Sequence, residues 1–256
     1  MSFVLYHSPY STCSQKVRIA LAEKGIAFES REISFAREEQ LSPEYLKLNP
    51  NGVVPTLVHD GEPVVDSSCI LEYLDEVVPA PPLSPAGALG RARMRAWLRY
   101  FEEVPTAAVR VPSFEQAFLP VLRRFQSQER FDEGGARRPI RSGFYGKMNS
   151  GRGFAPEELE NSRAQLAQTV ARIDAALEGG PFILGGFTLA ECCAAPLVDR
   201  MDDLGMGELW AGRPRFAAWL ERVRARPSFA TAFTPGSRLS ERAEFAGVLS
   251  ARSAAR

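Results

Sequence analysis

The sequence predicts a two-part molecule: a small α/β domain followed by an all-helical one. Three observations predict it. Residues 1–80 alternate strand-like and helix-like patterns. The run Pro79-Ala-Pro-Pro-Leu-Ser-Pro85 cannot continue a helix and marks a boundary. From Ala88 onward every long apolar pattern has helical period. The expected division is a first domain over 1–80, a linker over 81–87 and a second domain over 88–256.

Each element follows from local signals. Phe3 to His7 reads as a short buried strand, and Ser8-Pro9-Tyr10-Ser11 as a turn. Val17, Ala20, Leu21 and Lys24 recur at helical spacing, so 12–24 reads as a helix, with Gly25 at the C′ position. The segment from Ile26 to Ile33 alternates and ends in a second strand, completing a βαβ unit. Ser42 is placed to cap a short helix over 42–48. Val53–Val58 and Glu62–Val65, joined around Gly61, read as a hairpin. Asp66-Ser67-Ser68 then opens a helix that runs to Val78. Further helices are expected over 88–108, 113–127, 156–179, 188–205 and 213–225. Segment 126–155, rich in Gln, Arg and Gly, loses the helical period and reads as a loop over a site or as a surface insertion.

Composition excludes several classes. Among 256 residues, 31 Lys/Arg balance 31 Asp/Glu, so no global basic field exists to hold nucleic acid. Two histidines, His7 and His59, offer no ligand-spaced cluster, and no metal is expected. Four cysteines do not make a disulfide scaffold in a chain this long. No apolar run reaches the ~18 residues of a membrane span, and the N-terminus lacks a signal-peptide pattern. No membrane partner and a cytoplasmic location are therefore expected. Charge is unevenly divided: residues 1–80 hold 6 Lys/Arg against 12 Asp/Glu, and the remainder 25 against 19. Solvated helix faces, attraction between the halves and a mildly basic substrate region are all compatible with that split.

Chemistry concentrates at Ser11-Thr12-Cys13-Ser14, between the first strand and the first helix. A helix N-terminus presents unpaired N–H groups and about half a positive charge, which stabilises an anion such as a thiolate. The site suits a nucleophilic Cys13, or a Ser11 or Ser14 hydroxyl that donates to another molecule's thiolate. Plain N-capping explains the same residues. Val54-Pro55 places proline inside a strand-like run. A cis bond would resolve the conflict and free the Val54 N–H and C=O for an extended peptide; an edge-strand proline is the alternative. Asp66 and Ser67, at the next helix start, suit an ammonium and a carboxylate, or ordinary capping. Together the three sites would hold a sulfur, a peptide backbone and a free amino-acid head, the features of glutathione.

The chain resembles the cytosolic glutathione transferases. Ser11 to Gly25 is similar to the Ser-Ser-Cys-Ser motif of zeta-class enzymes, the maleylacetoacetate isomerases, and to tetrachlorohydroquinone dehalogenases. Asn49-Pro-Asn51-Gly-Val-Val54-Pro55-Thr-Leu57 resembles the superfamily's glutathione-backbone loop, and Asp66-Ser67 its acidic residue or Gln followed by Ser. Phe187-Thr188-Leu189-Ala190-Glu191 resembles its helix-capping motif, with Thr188 as N-cap and Glu191 as partner. Length and the long insertion look most like bacterial β-aryl ether cleaving transferases. The resemblance implies a glutathione transferase fold: a thioredoxin-like α/β domain, then an all-α electrophile-binding domain. It also implies a homodimer and glutathione as cofactor, held by Asn51, Val54, Pro55, Asp66 and Ser67.

The implied function is a glutathione transferase acting on a hydrophobic, aromatic electrophile, by ether cleavage or dehalogenation. A glutathione-dependent isomerase of the maleylacetoacetate type and a non-catalytic binding protein are the alternatives. Resemblance to zeta enzymes points to Ser11, to the ether-cleaving enzymes to Ser14, and to the dehalogenases to Cys13. Cys69, Cys192 and Cys193 read as small buried hydrophobes. Tyr100 is a candidate substrate contact or a packing residue, and Phe144 and Tyr145 would close over an aromatic substrate.

Overall fold

Strand β1 (Phe3–His7) buries Phe3, Leu5 and His7 and half-buries the residues between them, the alternation of a strand with one face on the core. The computed structural model describes residues 1–125, 127, 129, 133, 136–149 and 153–253. Helix α1 (Thr12–Glu23) follows, and Gly25 beyond it takes φ +63°. Strand β2 (Glu29–Glu32) pairs parallel with β1 and is exposed along its length, an edge. Helix α2 (Pro43–Leu48) starts at Ser42, whose Oγ accepts the Tyr45 N–H. Strands β3 (Thr56–His59) and β4 (Glu62–Val65) form the expected hairpin, giving a sheet in the order β2-β1-β3-β4. Helix α3 (Ser67–Val77) closes the first half.

Register decides where chemistry can gather. Tyr6 pairs with Thr56, and Thr56 with Val65. The chain therefore leaves β1 toward Ser8, enters β3 from Pro55 and leaves β4 toward Asp66, all at one end of the sheet. The Val54–Pro55 bond is cis, and Val54 stands outside the strand ladder.

The second half is helical: α4 (Ala88–Glu103), α5 (Pro105–Ser113), a π-helical turn (Phe114–Phe118), α6 (Leu119–Phe125), α7 (Ser142–Asn149), α8 (Pro156–Ala176), α9 (Leu189–Asp203), α10 (Pro214–Arg224), α11 (Pro227–Ala232) and α12 (Ala243–Ser253). Among the described residues no strand follows β4, only a bridge between Leu184 and Gly186.

Several expectations need correction. The helix expected over 88–108 breaks at Val104, because Pro105 offers no N–H and disfavours helical geometry before it. The helix expected over 113–127 divides among the end of α5, the π turn and α6. The segment 126–155 falls partly outside the described residues, but its described part contains α7. Cys69 is exposed, since the buried stripe of α3 runs through Ser67, Ile70, Leu71 and Leu74 instead. Cys192 and Cys193 are buried as expected.

Helix α1 packs against α3, α9 and α11, and every residue from Ser14 to Leu21 is buried. Its polar members must then find partners. The Lys16 ammonium donates to Glu102 Oε1 at 2.6 Å and to Thr106 Oγ1 at 3.1 Å. Arg18 donates to the carbonyls of Pro9 (2.7 Å) and Ala232 (2.8 Å) and to His7 Nδ1 (3.0 Å). Arg226 holds Glu23 with two bonds of 2.6 Å. The attraction between halves is thus made of particular pairs, laid over one apolar core that both halves share. The capping box also forms: Thr188 Oγ1 accepts the Ala190 N–H, and Glu191 accepts the N–H groups of Thr188 and Ile183.

Two outcomes follow from these buried polar groups. Burial, then the Arg18 charge, lowers the His7 pKa from 6.5 to about 4. An unfolded chain therefore takes up this proton first, and stability falls as pH drops from about 6.5 through about 4. In His7→Gln that window should contribute less acid sensitivity, by on the order of 2 kcal/mol, read from urea unfolding across pH. Lys16→Met should cost about 1–3 kcal/mol by removing the ammonium from a partly buried Glu102, measured as a lower urea midpoint; an unchanged midpoint would contradict the pairing.

Candidate functional site

A cavity of about 450 Å³ opens where the functional end of the sheet meets the helical half. Ser11, Thr12 and Cys13 form its floor at the start of α1, and Gly52, Val53 and Val54 form one side. Another side comes from α5 and the π turn, through Thr106, Val109, Arg110, Phe114 and Phe118. Tyr10, Tyr145 and Phe245 complete an aromatic lining.

The floor follows from capping geometry. Ser11 Oγ accepts the Ser14 N–H at 3.3 Å, so its lone pair satisfies the helix and its own proton remains available to the cavity. Cys13 sits in the first turn of α1, half-buried and free of any disulfide. Ser14 is fully buried, and its Oγ accepts the Ser8 N–H at 3.3 Å. Its hydroxyl does not reach the cavity wall. Lys16, one turn further along, is fully buried. Burial works against its charge, but Cys13 and Glu102 together hold its pKa above the ordinary lysine value.

The Val54 side is braced from behind. Asn49 Nδ2 donates to the Val53 carbonyl and to Thr56 Oγ1, both at 2.9 Å, and Tyr45 OH donates to the Val53 carbonyl at 2.7 Å. Gly52 takes φ +61°, and a Cβ there would meet Leu41 at 2.9 Å and Pro139 at 3.2 Å, so only glycine fits. Asn51 gives its N–H to Asn49 Oδ1 and stays off the wall, and Pro55 lies just behind Val54.

Asp66 and Ser67 lie at the same end of the sheet but not in the cavity wall. Asp66 accepts from the N–H groups of Ser68 and Cys69 as the cap of α3. Burial would raise its carboxyl; the hydrogen bonds from Ser68 and Cys69 outweigh that and hold it below the usual range. Ser67 Oγ donates to Glu102 Oε1 at 3.3 Å, the same oxygen that takes the Lys16 ammonium.

Sequence reasoning missed several wall residues. Gln40 is 1% exposed, lines the cavity, and has neither its amide nitrogen nor its oxygen hydrogen-bonded. A buried amide left so is costly unless a ligand completes it. It belongs to a single 3-10 turn (Glu39–Leu41) with no periodic signal. The sequence marks Tyr10 only as a turn residue; its ring packs on Phe35, Phe118 and Phe245. Tyr145 does line the cavity, whereas Phe144 packs behind it on Phe114 and Phe154. Tyr100 stands away from the wall and bonds Thr169.

The model of the glutathione S-transferase N-terminal domain matches residues 5–82, and that of the C-terminal domain residues 156–222, together more than half of the chain. The chain belongs to the glutathione S-transferase family. Protein LigF of a Sphingobium species is 28% identical over 245 residues, covering 93% of this chain and 95% of that protein. The crystal structure of this beta-etherase superposes with a TM-score of 0.81 at 29% identity, over 91% of this chain and 99% of the other. The tetrachloro-p-hydroquinone reductive dehalogenase of Sphingobium chlorophenolicum is 28% identical over 242 residues, 89% of this chain and 94% of that one. A stringent starvation protein A homolog of Histophilus somni is 30% identical over 217 residues, 85% and 82% of the two chains. The glutathione transferase fold expected from the sequence, a small mixed sheet domain followed by helices, is the fold observed.

The geometry separates the two serines. Ser14→Ala should lower stability by about 1–3 kcal/mol, because the buried Ser8 N–H loses its acceptor. Urea unfolding reads this directly; a variant as stable as the parent would remove Ser14 from this structural role.

Proposed function

We propose that the protein transfers glutathione to a hydrophobic aromatic electrophile. One observation carries the reading: the Ser11 hydroxyl, the Cys13 thiol, Val54 and the unpaired Gln40 amide border a single aromatic-lined cavity at the start of α1. Glutathione would lie along Val54, with its sulfur at the α1 N-terminus and a polar end at Gln40. Asp66 and Ser67 would face its γ-glutamyl head from the same end of the sheet. The Asn51 and Pro55 backbone would shape the loop rather than touch the ligand.

In this reading Ser11 donates to the sulfur, and the helix N-terminus favours its ionised form. The thiolate attacks the electrophilic carbon; the new S–C bond forms as the leaving group departs with its electron pair. Proximity and a lowered thiol pKa supply most of the acceleration. The leaving group is an aryl oxide or a halide, by analogy with the beta-etherase and the reductive dehalogenase that this chain is similar to. The chain would act as a homodimer in the cytoplasm, as its family resemblance implies.

The comparison of Ser11→Ala with Cys13→Ala tests this. With glutathione and a chlorodinitrobenzene, Ser11→Ala should lose roughly 10–100-fold in kcat/KM and shift the acid limb of the pH–rate profile upward. Cys13→Ala should lose less than roughly threefold. If only Cys13→Ala abolishes turnover, the cysteine is the nucleophile and the serine reading fails. Unchanged glutathione concentration during turnover would favour isomerisation, and no glutathione binding at all would favour a scaffold.

A further inference from the structure

One part of the cavity wall carries more positive charge than its neighbours neutralise. Six charged residues line the cavity: Glu38, Glu244, Arg110, Arg138, Arg141 and Arg200. Three of them are already satisfied. Glu38 pairs with Arg137 at 3.5 Å, and Glu244 with Arg242 at 2.7 Å. Arg200 faces Asp203 at 3.8 Å and donates to the Tyr10 carbonyl at 2.6 Å. Among the described residues no carboxylate lies within ion-pair distance of Arg110, Arg138 or Arg141, and Glu102 acts on Arg110 only from further off. Two of them stand over rings: Arg110 lies 5.6 Å from the Phe144 centroid, and Arg138 lies 3.8 Å from that of Tyr145.

We infer that these three guanidinium groups select an aromatic second substrate that carries a carboxylate. The inference rests on the transferase reading above for what fills the other half of the cavity. Like charges gathered at an aromatic site, two of them half-buried and none in an ion pair among the described residues, are unfavourable until an anion joins them. Burial, then the neighbouring Arg141 charge, pushes Arg110 below the ordinary arginine pKa, which records that cost. A carboxylate removes it, and the planar fork of arginine matches two carboxylate oxygens. The substrate ring would lie against Phe114, Phe118 and Tyr145, on the side of the cavity that the π turn and α7 supply. Arg110 sits one turn from Thr106 and borders the same cavity as Cys13, whose thiol is near enough to act on it. A carboxylate held there ties the ring into the same cavity as the thiol position, which restricts how the ring's reactive carbon meets the sulfur.

The test is equilibrium binding, which needs no turnover. Calorimetry with S-methylglutathione present would compare a naphthoate with the matching naphthamide, equal in shape but not in charge. The naphthoate should bind at least roughly tenfold more tightly. Arg110→Gln and Arg141→Gln should each cut that preference severalfold, and Arg110→Lys should keep part of it. Equal affinity for the two ligands, or a preference that survives both glutamine variants, overturns the inference. So does a large loss of glutathione affinity in Arg110→Gln with the naphthoate preference intact, since the guanidinium groups would then serve the carboxylates of glutathione. Should Arg110→Gln fail to fold, Arg141→Gln decides alone, because the Arg141 side chain is exposed. A naphthoate preference in a protein that binds no glutathione would sink the transferase reading and leave this one standing.

Discussion

The ammonium of Lys16 is the contact on which the architecture turns. It lies fully buried inside α1, with Glu102 and Thr106 as its partners from α4 and α5. Glu102 in turn receives the Ser67 hydroxyl at the head of α3. One ion pair therefore ties the helix that carries Ser11 and Cys13 to α4, and through its neighbours to α5 and α3. Surface ion pairs are worth little, but a buried one whose partner would be stranded is costly to break. The cavity floor and its α5 side consequently keep their spacing, which a reaction between two bound molecules demands.

Around that tie the molecule divides its labour by chemistry. The sheet domain offers directional groups at one strand end: a capped helix start, an unladdered Val54 and a bare Gln40 amide. The helical domain offers rings and guanidinium groups, which grip by area, stacking and charge. Such a pairing suits one partner of constant shape and another defined only by class. Three of the wall's rings, those of Tyr10, Phe118 and Phe245, pack on one another from segments more than a hundred residues apart. That wall is built by tertiary packing, and its form can vary without disturbing the sheet.

The features legible in the sequence were those made by local physics. The caps at Ser11, Asp66 and Thr188 are each written within four residues, as is the proline at the mouth of β3. The order of strands and helices in the first half followed from periodicity and turn residues. Hidden features depended on what lay above a segment. Helix α1 has an amphipathic pattern but is covered on all sides, so nothing in its spacing announced that Lys16 and Arg18 would be interior. Gln40 stands in an unpatterned stretch, and Phe245 belongs to a terminal helix that no pattern marked. Ser14 and Ser11 look equivalent as letters; only the direction of the Ser8 N–H tells them apart.

The turn around Pro139 gives the two domains a second meeting place. Arg137 reaches Glu38, and Pro139 crowds Gly52, so the insertion from the helical half rests on the loop beside Val54. Among the described residues this contact holds a single ion pair, partly exposed and worth about 0–1 kcal/mol. The width of the cleft beside Val54 is therefore set by both halves of the chain, and a change in either is felt at the same opening.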